Sequence, residues 1–175
     1  MNSGPDAQGP KDKKTEVEII QAQAGKHLAL AKSLFEEYGN WGLAQGITFP
    51  EELQALQEQI ANLPDGFAPP DGRLLVAIYQ GRAAGCVALR KLSDDVCEMK
   101  RLYVRTKFRR LGIGKALAQA VIEQARGIGY TRMRLDTVAS MKAARALYTA
   151  LGFKGIEPYR YNPLEGAVFM ELSLV

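Results

Sequence analysis

The sequence predicts a single α/β domain of the α+β kind, one mixed sheet with helices on its faces, in the order β-α-α-β-β-β-α-β-α-β-β. Three observations carry that expectation. Apolar spacing switches repeatedly between a helical period and a period of two along the 175 residues. The switches fall at clusters of Gly, Pro, Asn and Asp. No segment repeats or separates by composition, and 47% hydrophobic with 24% charged residues is ordinary for one core of this length.

The elements follow in chain order. Residues 1–14, MNSGPDAQGPKDKK, are nearly devoid of apolar side chains and are expected to be a disordered tail ahead of a domain over 15–175. VEIIQAQ (Val17 to Gln23) reads as a short strand. GKHLALAKSLFEEYGNW spaces Leu30, Leu34, Phe35 and Tyr38 as a helix does, and a second helix starts with Pro50 in its first turn and places Leu53, Leu56, Gln57 and Ile60 on one side. PDGFAPPDG breaks the chain. RLLVAIYQ, RAAGCVALRK and VCEMKRLYV then alternate as strands, with turns at Gln80–Gly81 and at Ser93–Asp95, and predict an antiparallel meander. IGKALAQAVIEQARGIG is a helix closed by glycine, TRMRLDT a strand, MKAARALYTALG a helix closed by Gly152, and the last 23 residues supply two strands around a Pro- and Gly-rich loop.

The net charge of +4 is unevenly spread: Met99 to Ile122 holds no Asp or Glu and seven cations, Lys100, Arg101, Arg105, Lys107, Arg109, Arg110 and Lys115. The rest of the chain is net negative, so the basic character is local and predicts an anionic ligand. With an SDD turn, the hairpin register sets Cys97 opposite Arg90 and Cys86 opposite Arg101, too far apart for a disulfide. Free thiols, the absence of any apolar run of about 18 residues and a start without a signal-peptide core predict a soluble cytoplasmic protein with no membrane partner. No His/Cys/Asp cluster has metal-ligand spacing, so no metal is expected.

RRLGIG (Arg109 to Gly114) lies between a strand and a helix, where the first amides of the helix lack partners and the helix dipole favours an anion. Glycines admit phosphate oxygens to the backbone, and the arginines attract them. Lys115 is followed by Ala116, which excludes a Walker loop, and Leu117 stands where a dinucleotide loop needs a small residue. Taken alone, the loop is equally consistent with a capped turn beside solvated arginines.

YVRTKFRRLGIGKAL followed by ALYTALGF resembles the two hallmark segments of the GCN5-related N-acetyltransferase (GNAT) superfamily, over about Val17 to Val175, and the strings EMKRLYV, RLDT, PYRYNP and VFMEL are similar to a large bacterial subgroup. The resemblance implies acetyl-CoA as cosubstrate, with the backbone of Leu102, Tyr103 and Val104 pairing with the pantetheine arm. It also implies that the amides of Arg109, Arg110, Leu111, Gly112, Ile113 and Gly114 wrap the pyrophosphate with Lys115 beside them, and that Tyr148 lies near the sulfur. Three positions depart from the superfamily pattern, and at the first two Arg110 stands where glycine is common and Leu111 where a basic residue is. Met141, on the cofactor side, replaces a frequent asparagine and removes its polar contact with the cofactor arm.

Acetyl transfer to an alkylamine needs a path for the amine proton and a donor to the thioester oxygen. Glu98 is the first base candidate: by unbroken alternation it shares a face with Lys100, Leu102 and Val104. The other reading is a cross-strand partner of a basic residue. Asp136 is an alternative base or amine anchor, and water a third. Tyr148 is expected to protonate the leaving thiolate, a transfer only about 2 kcal/mol uphill for unperturbed groups, and the N–H near Val104 to serve the oxyanion. Tyr159, Tyr161 and Asn162 are candidate substrate contacts. Trp41, Tyr38 and Phe49 surround the loop between the first two helices, where core packing and substrate contact are both open.

The resulting expectation is an N-acetyltransferase acting on a primary amine, small molecule or peptide, in a ternary complex. A non-catalytic acyl-CoA sensor on the same fold is the competing reading. Nucleic-acid binding is disfavoured, because only Tyr103 and Phe108 are interleaved with the cations as stacking platforms. A homodimer is left open.

Overall fold

The computed structural model describes residues 16–175, and the tail expected over 1–14 lies outside them. The elements are β1 (Glu18–Gln21), α1 (Gly25–Gln45), α2 (Pro50–Asn62), β2 (Arg73–Tyr79), β3 (Arg82–Lys91), β4 (Val96–Val104), α3 (Ile113–Ile128), β5 (Arg132–Val138), α4 (Lys142–Ala150), β6 (Lys154–Ile156) and β7 (Ala167–Ser173), with a single 3-10 turn at Thr106–Phe108. This is the order the sequence predicts. The seven strands form one mixed sheet, β1-β2-β3-β4-β5-β7-β6.

Helices cover both faces. Leu75, Ala77, Val87 and Leu89 pack against Leu117, Val121 and Ala125 of α3, while Leu74, Val76, Cys86 and Ala88 pack against Leu34 and Phe35 of α1 and Leu56 of α2. Neighbouring strand residues thus enter opposite cores, which is why β2 and β3 are apolar at nearly every position. α3 ends where Gly129 takes φ 108° and returns its N–H to Ala125 and Arg126.

Two details of the meander differ from the sequence reading. The β3–β4 loop includes Leu92 as well as SDD, since the amides of Leu92 and Ser93 both bond the Val96 carbonyl. Cys97 therefore faces Lys91, and Cys86 faces Tyr103. Both cysteines are free and buried, as expected.

The second difference shapes the site. Ala88 pairs with Lys100 and Cys86 with Tyr103, so Arg101 and Leu102 together oppose Val87: β4 carries a bulge. Arg101 takes φ 57° there, a conformation costly for a residue with a Cβ. Gly85 permits it, because a Cβ at that position would come within 2.4 Å of the Tyr103 carbonyl oxygen. The bulge also breaks the alternation. Leu102 and Val104 join the α3 core, whereas Tyr103 joins the α1 core.

β4 and β5 are parallel neighbours only from Val96↔Arg132 to Glu98↔Arg134. Beyond Glu98 they separate, and β5 stays paired with β7 through Val138. The last residues of β4 present bare backbone to the opening.

Candidate active site

The opening between β4 and β5 leads into a cavity of about 640 Å³. Its walls come from elements distant in the chain: Tyr38, Trp41, Phe49 and Glu52 from α1, α2 and their connection, Leu102–Val104 from β4, Arg109, Arg110 and Gly112–Gly114 from the glycine loop, Asp136 from β5, Met141, Leu147 and Tyr148 around α4, and Arg160 and Asn162 from the β6–β7 loop.

At one end the loop has the shape its sequence suggests. Arg110 and Gly112 take φ 64° and 79°, and left-handed residues in a turn are the backbone shape from which anion-binding nests are built. Ala116 N–H bonds the Gly112 carbonyl at 3.0 Å, leaving the amides of Ile113, Gly114 and Lys115 without intrahelical acceptors. Gly112 is explained by its φ. Gly114 is not: a Cβ there would make only ordinary contacts, 3.6 Å from Val104 and 4.0 Å from Leu147. It would instead stand between two residues that line the cavity, so the bare position suits a ligand drawn close to the backbone. The glycine pattern's usual residue at Arg110 also has a physical reason, since the position is left-handed.

Among the other residues assigned to this end, Met141 lines the cavity, whereas the side chains of Leu111 and Lys115 are exposed and do not. Arg109 lies against the wall. Its guanidinium carbon is 4.9 Å from the Trp41 ring centre and 6.0 Å from that of Tyr103, and Nε donates to the Val104 carbonyl at 3.0 Å. The cluster of seven cations is thus not one patch: Arg105 pairs with Glu37, while Lys100 and Arg101 are buried at the opposite end of the cavity.

Tyr148 is buried with its ring edge-on to Phe153, centres 5.7 Å apart. Its hydroxyl makes no hydrogen bond among the described residues. Burial above all, then Tyr38 and Asp136, pushes the phenol up from its ordinary value, so it stays protonated. Core packing and a position in the cavity wall coexist.

Glu98 occupies a different place from the one alternation suggests. It is fully buried and does not line the cavity. Oε1 accepts from Arg90 Nε at 2.8 Å and Nη2 at 2.7 Å, and Oε2 accepts from the Tyr159 hydroxyl at 2.6 Å. The bulge at Arg101 puts Leu102 and Val104 on the other face, so the cross-strand reading of Glu98 describes the geometry and the base reading does not. Tyr159 is spent on that contact; burial, followed by Glu98, pushes its phenol up. Tyr161 is 76% exposed and lies outside the cavity lining.

Asp136 does reach the cavity. Its Oδ2 accepts from Arg160 Nε at 2.9 Å and Nη2 at 2.7 Å and from Asn162 Nδ2 at 2.9 Å. Arg160 Nη1 also lies 3.6 Å from Glu52 Oε2, and Arg101 Nη1 is 2.6 Å from Glu52 Oε1. Burial pushes the Glu52 carboxyl up, but Lys100, Arg101 and Arg160 outweigh it and hold it below its ordinary value. Burial pulls the Arg160 guanidinium down, and Asp136 more than offsets this.

Glu52, Lys100, Arg101 and Arg160 are the residues sequence reasoning missed. Glu52 reads locally as an acid in a helix first turn, and Lys100 and Arg101 as members of a charge run. Arg160 stood in plain view, the lone cation between Tyr159 and Tyr161 in a Pro-bounded loop.

The acetyltransferase (GNAT) family model matches residues 30–153. An uncharacterised N-acetyltransferase of Schizosaccharomyces pombe is 36% identical over 164 residues, 93% of this chain and 98% of the relative. The human N-acetylaspartate synthetase is 35% identical over 122 residues, 69% of this chain and 39% of the relative. In structure, the chain is similar to the PaiA N-acetyltransferase of Thermoplasma acidophilum in complex with coenzyme A, with TM-score 0.71 at 20% identity over 90% of this chain and 99% of that one. It is likewise similar to YncA of Salmonella typhimurium with acetyl-CoA, with TM-score 0.66 at 19% identity over 92% and 95%. With a family model over most of its length and a 36% identical relative along nearly all of it, this chain belongs to the GNAT family of N-acetyltransferases.

Proposed function

We propose that this chain transfers the acetyl group of acetyl-CoA to a primary amine, of a small molecule or peptide, by direct attack within a ternary complex. The observation that supports this most is the meeting, in one cavity, of the unpaired β4 backbone, the glycine loop and the protonated Tyr148. In this reading the pantetheine arm pairs with Leu102–Val104 as an added strand. The pyrophosphate lies on the amides at the start of α3, with Arg109 and Arg110 beside it.

The amine nitrogen attacks the thioester carbon, forming the C–N bond, and the N–H near Val104 serves the oxyanion. The C–S bond then breaks, and the thiolate takes the proton of Tyr148. The proton lost by the amine passes to Asp136, directly or through water. Asp136 suits this role because it opens on the cavity while Arg160 and Asn162 hold its other oxygen. Glu98 has no part in it.

Thiol release from acetyl-CoA, followed with a panel of primary amines and with detection of the N-acetyl product, tests the proposal. Amine-dependent release is expected. Tight CoA binding without release for any amine would instead fit an acyl-CoA sensor.

A further inference from the structure

Lys100 and Asp136 stand in related positions. Glu98↔Arg134 is the last β4–β5 pair, and two residues onward in each strand Lys100 and Asp136 lie on the same sheet face where the strands part. Both line the cavity. Each has unused hydrogen-bonding capacity. The Lys100 side chain is 6% exposed; its ammonium donates no hydrogen bond among the described residues and has its ion-pair carboxylate, Glu52 Oε1, 3.7 Å away. Asp136 Oδ1 accepts none among the described residues, its three donors all falling on Oδ2.

The surrounding charges tip the balance. Along this end of the cavity lining three cations, Lys100, Arg101 and Arg160, stand against two carboxylates, Glu52 and Asp136; Glu98, behind the wall, is paired with Arg90, and Arg101 already donates from each of its three nitrogens, to Glu52 and to Gln59 Oε1 at 3.0 and 3.2 Å. An ammonium on a cavity wall with no hydrogen-bonded carboxylate favours an anionic partner there. A polyamine or an unsubstituted alkylamine would add a cation beside it and leave it unsatisfied.

We infer that the acceptor is an amine that also carries a carboxylate, an amino acid or a close analogue, with its nitrogen at Asp136 Oδ1 and its carboxylate on Lys100. The inference rests on the acetyl-transfer reading and names the substrate class of that site. The acetyl group moves from sulfur to nitrogen as above, and the carboxylate is unchanged in the product.

The test is thiol release with alanine, leucine and β-alanine, each against its carboxamide and its decarboxylated amine, for wild type and Lys100→Met. Wild type is expected to favour at least one carboxylate by about tenfold or more in kcat/KM over its uncharged counterparts. Lys100→Met is expected to bring that ratio to within about twofold through KM, with CoA affinity by calorimetry unchanged, and Lys100→Arg to restore part of it. Equal turnover of the uncharged counterparts in wild type, or an undiminished ratio in Lys100→Met, overturns this inference and leaves acetyl transfer standing. No turnover of any amine while CoA binds overturns both.

Discussion

Arg160 grips Asp136 through two nitrogens on a single oxygen, Nε at 2.9 Å and Nη2 at 2.7 Å, and so fixes the carboxylate with Oδ1 unoccupied. A guanidinium reaching from the β6–β7 loop thereby orients a side chain of β5. If Asp136 receives the amine proton, Asp136→Asn lowers kcat by about 100-fold or more. Arg160→Leu, which keeps the Asp136 carboxylate but removes the guanidinium that holds it, lowers kcat/KM by about tenfold. Steady-state kinetics with calorimetric CoA affinity as a control separates the two, and equal losses would contradict these roles.

Glu98→Gln gives the opposite pattern. The carboxylate is buried between Arg90 and Tyr159 and away from the cavity. The substitution weakens charge-assisted bonds worth about 1–2 kcal/mol, so the melting temperature falls by about 2–6 °C. kcat stays within about threefold of wild type. Thermal unfolding beside an activity assay checks both halves.

The assignment of Glu98 shows where sequence reasoning reached and where it stopped. Gly112, Gly114 and Tyr148 were legible because helix ends and helix faces are local: a glycine loop before an amphipathic run carries its meaning within a few residues. The face of Glu98 was not, because strand alternation holds only while the strand is regular. Arg101 breaks it at φ 57° with no glycine to mark the place. The Glu52, Arg160 and Asp136 cluster was hidden for another reason. It joins residues up to 108 positions apart, brought together by a strand order that sets β7 between β5 and β6.

Gly114→Val separates folding from ligand binding. Its Cβ meets only ordinary contacts within the chain, so the melting temperature shifts by no more than about 3 °C. The side chain enters the cleft between Val104 and Leu147 and blocks the loop. CoA affinity is expected to fall by about 100-fold or more, read by calorimetry. Unchanged affinity would move the pyrophosphate elsewhere.

Lys100 exchanges stability for a charge in the site. Burial, with Arg101 next, depresses its pKa from 10.5 to about 8. Below pH 8 both the folded and unfolded chains carry the ammonium, and the fold bears its cost. Between about pH 8 and 10.5 the unfolded chain binds more protons, so stability attributable to this group rises with pH. Lys100→Met therefore unfolds at a higher temperature than wild type at pH 7, by about 2–6 °C. The gap narrows as the pH is raised toward 10. Thermal unfolding of both proteins at pH 7 and pH 9.5 measures it, and a gap that widens with pH has the wrong sign.

The most direct measurement is turnover by Tyr148→Phe. The phenol is buried, protonated and free of hydrogen bonds to the described residues, so removing its oxygen leaves the packing against Phe153 in place. With acetyl-CoA and an amine that wild type acetylates, kcat is expected to fall by about 100-fold with the Kd for CoA unchanged. A kcat equal to that of wild type would take Tyr148 out of the chemistry and contradict its role as the acid that releases the thiol.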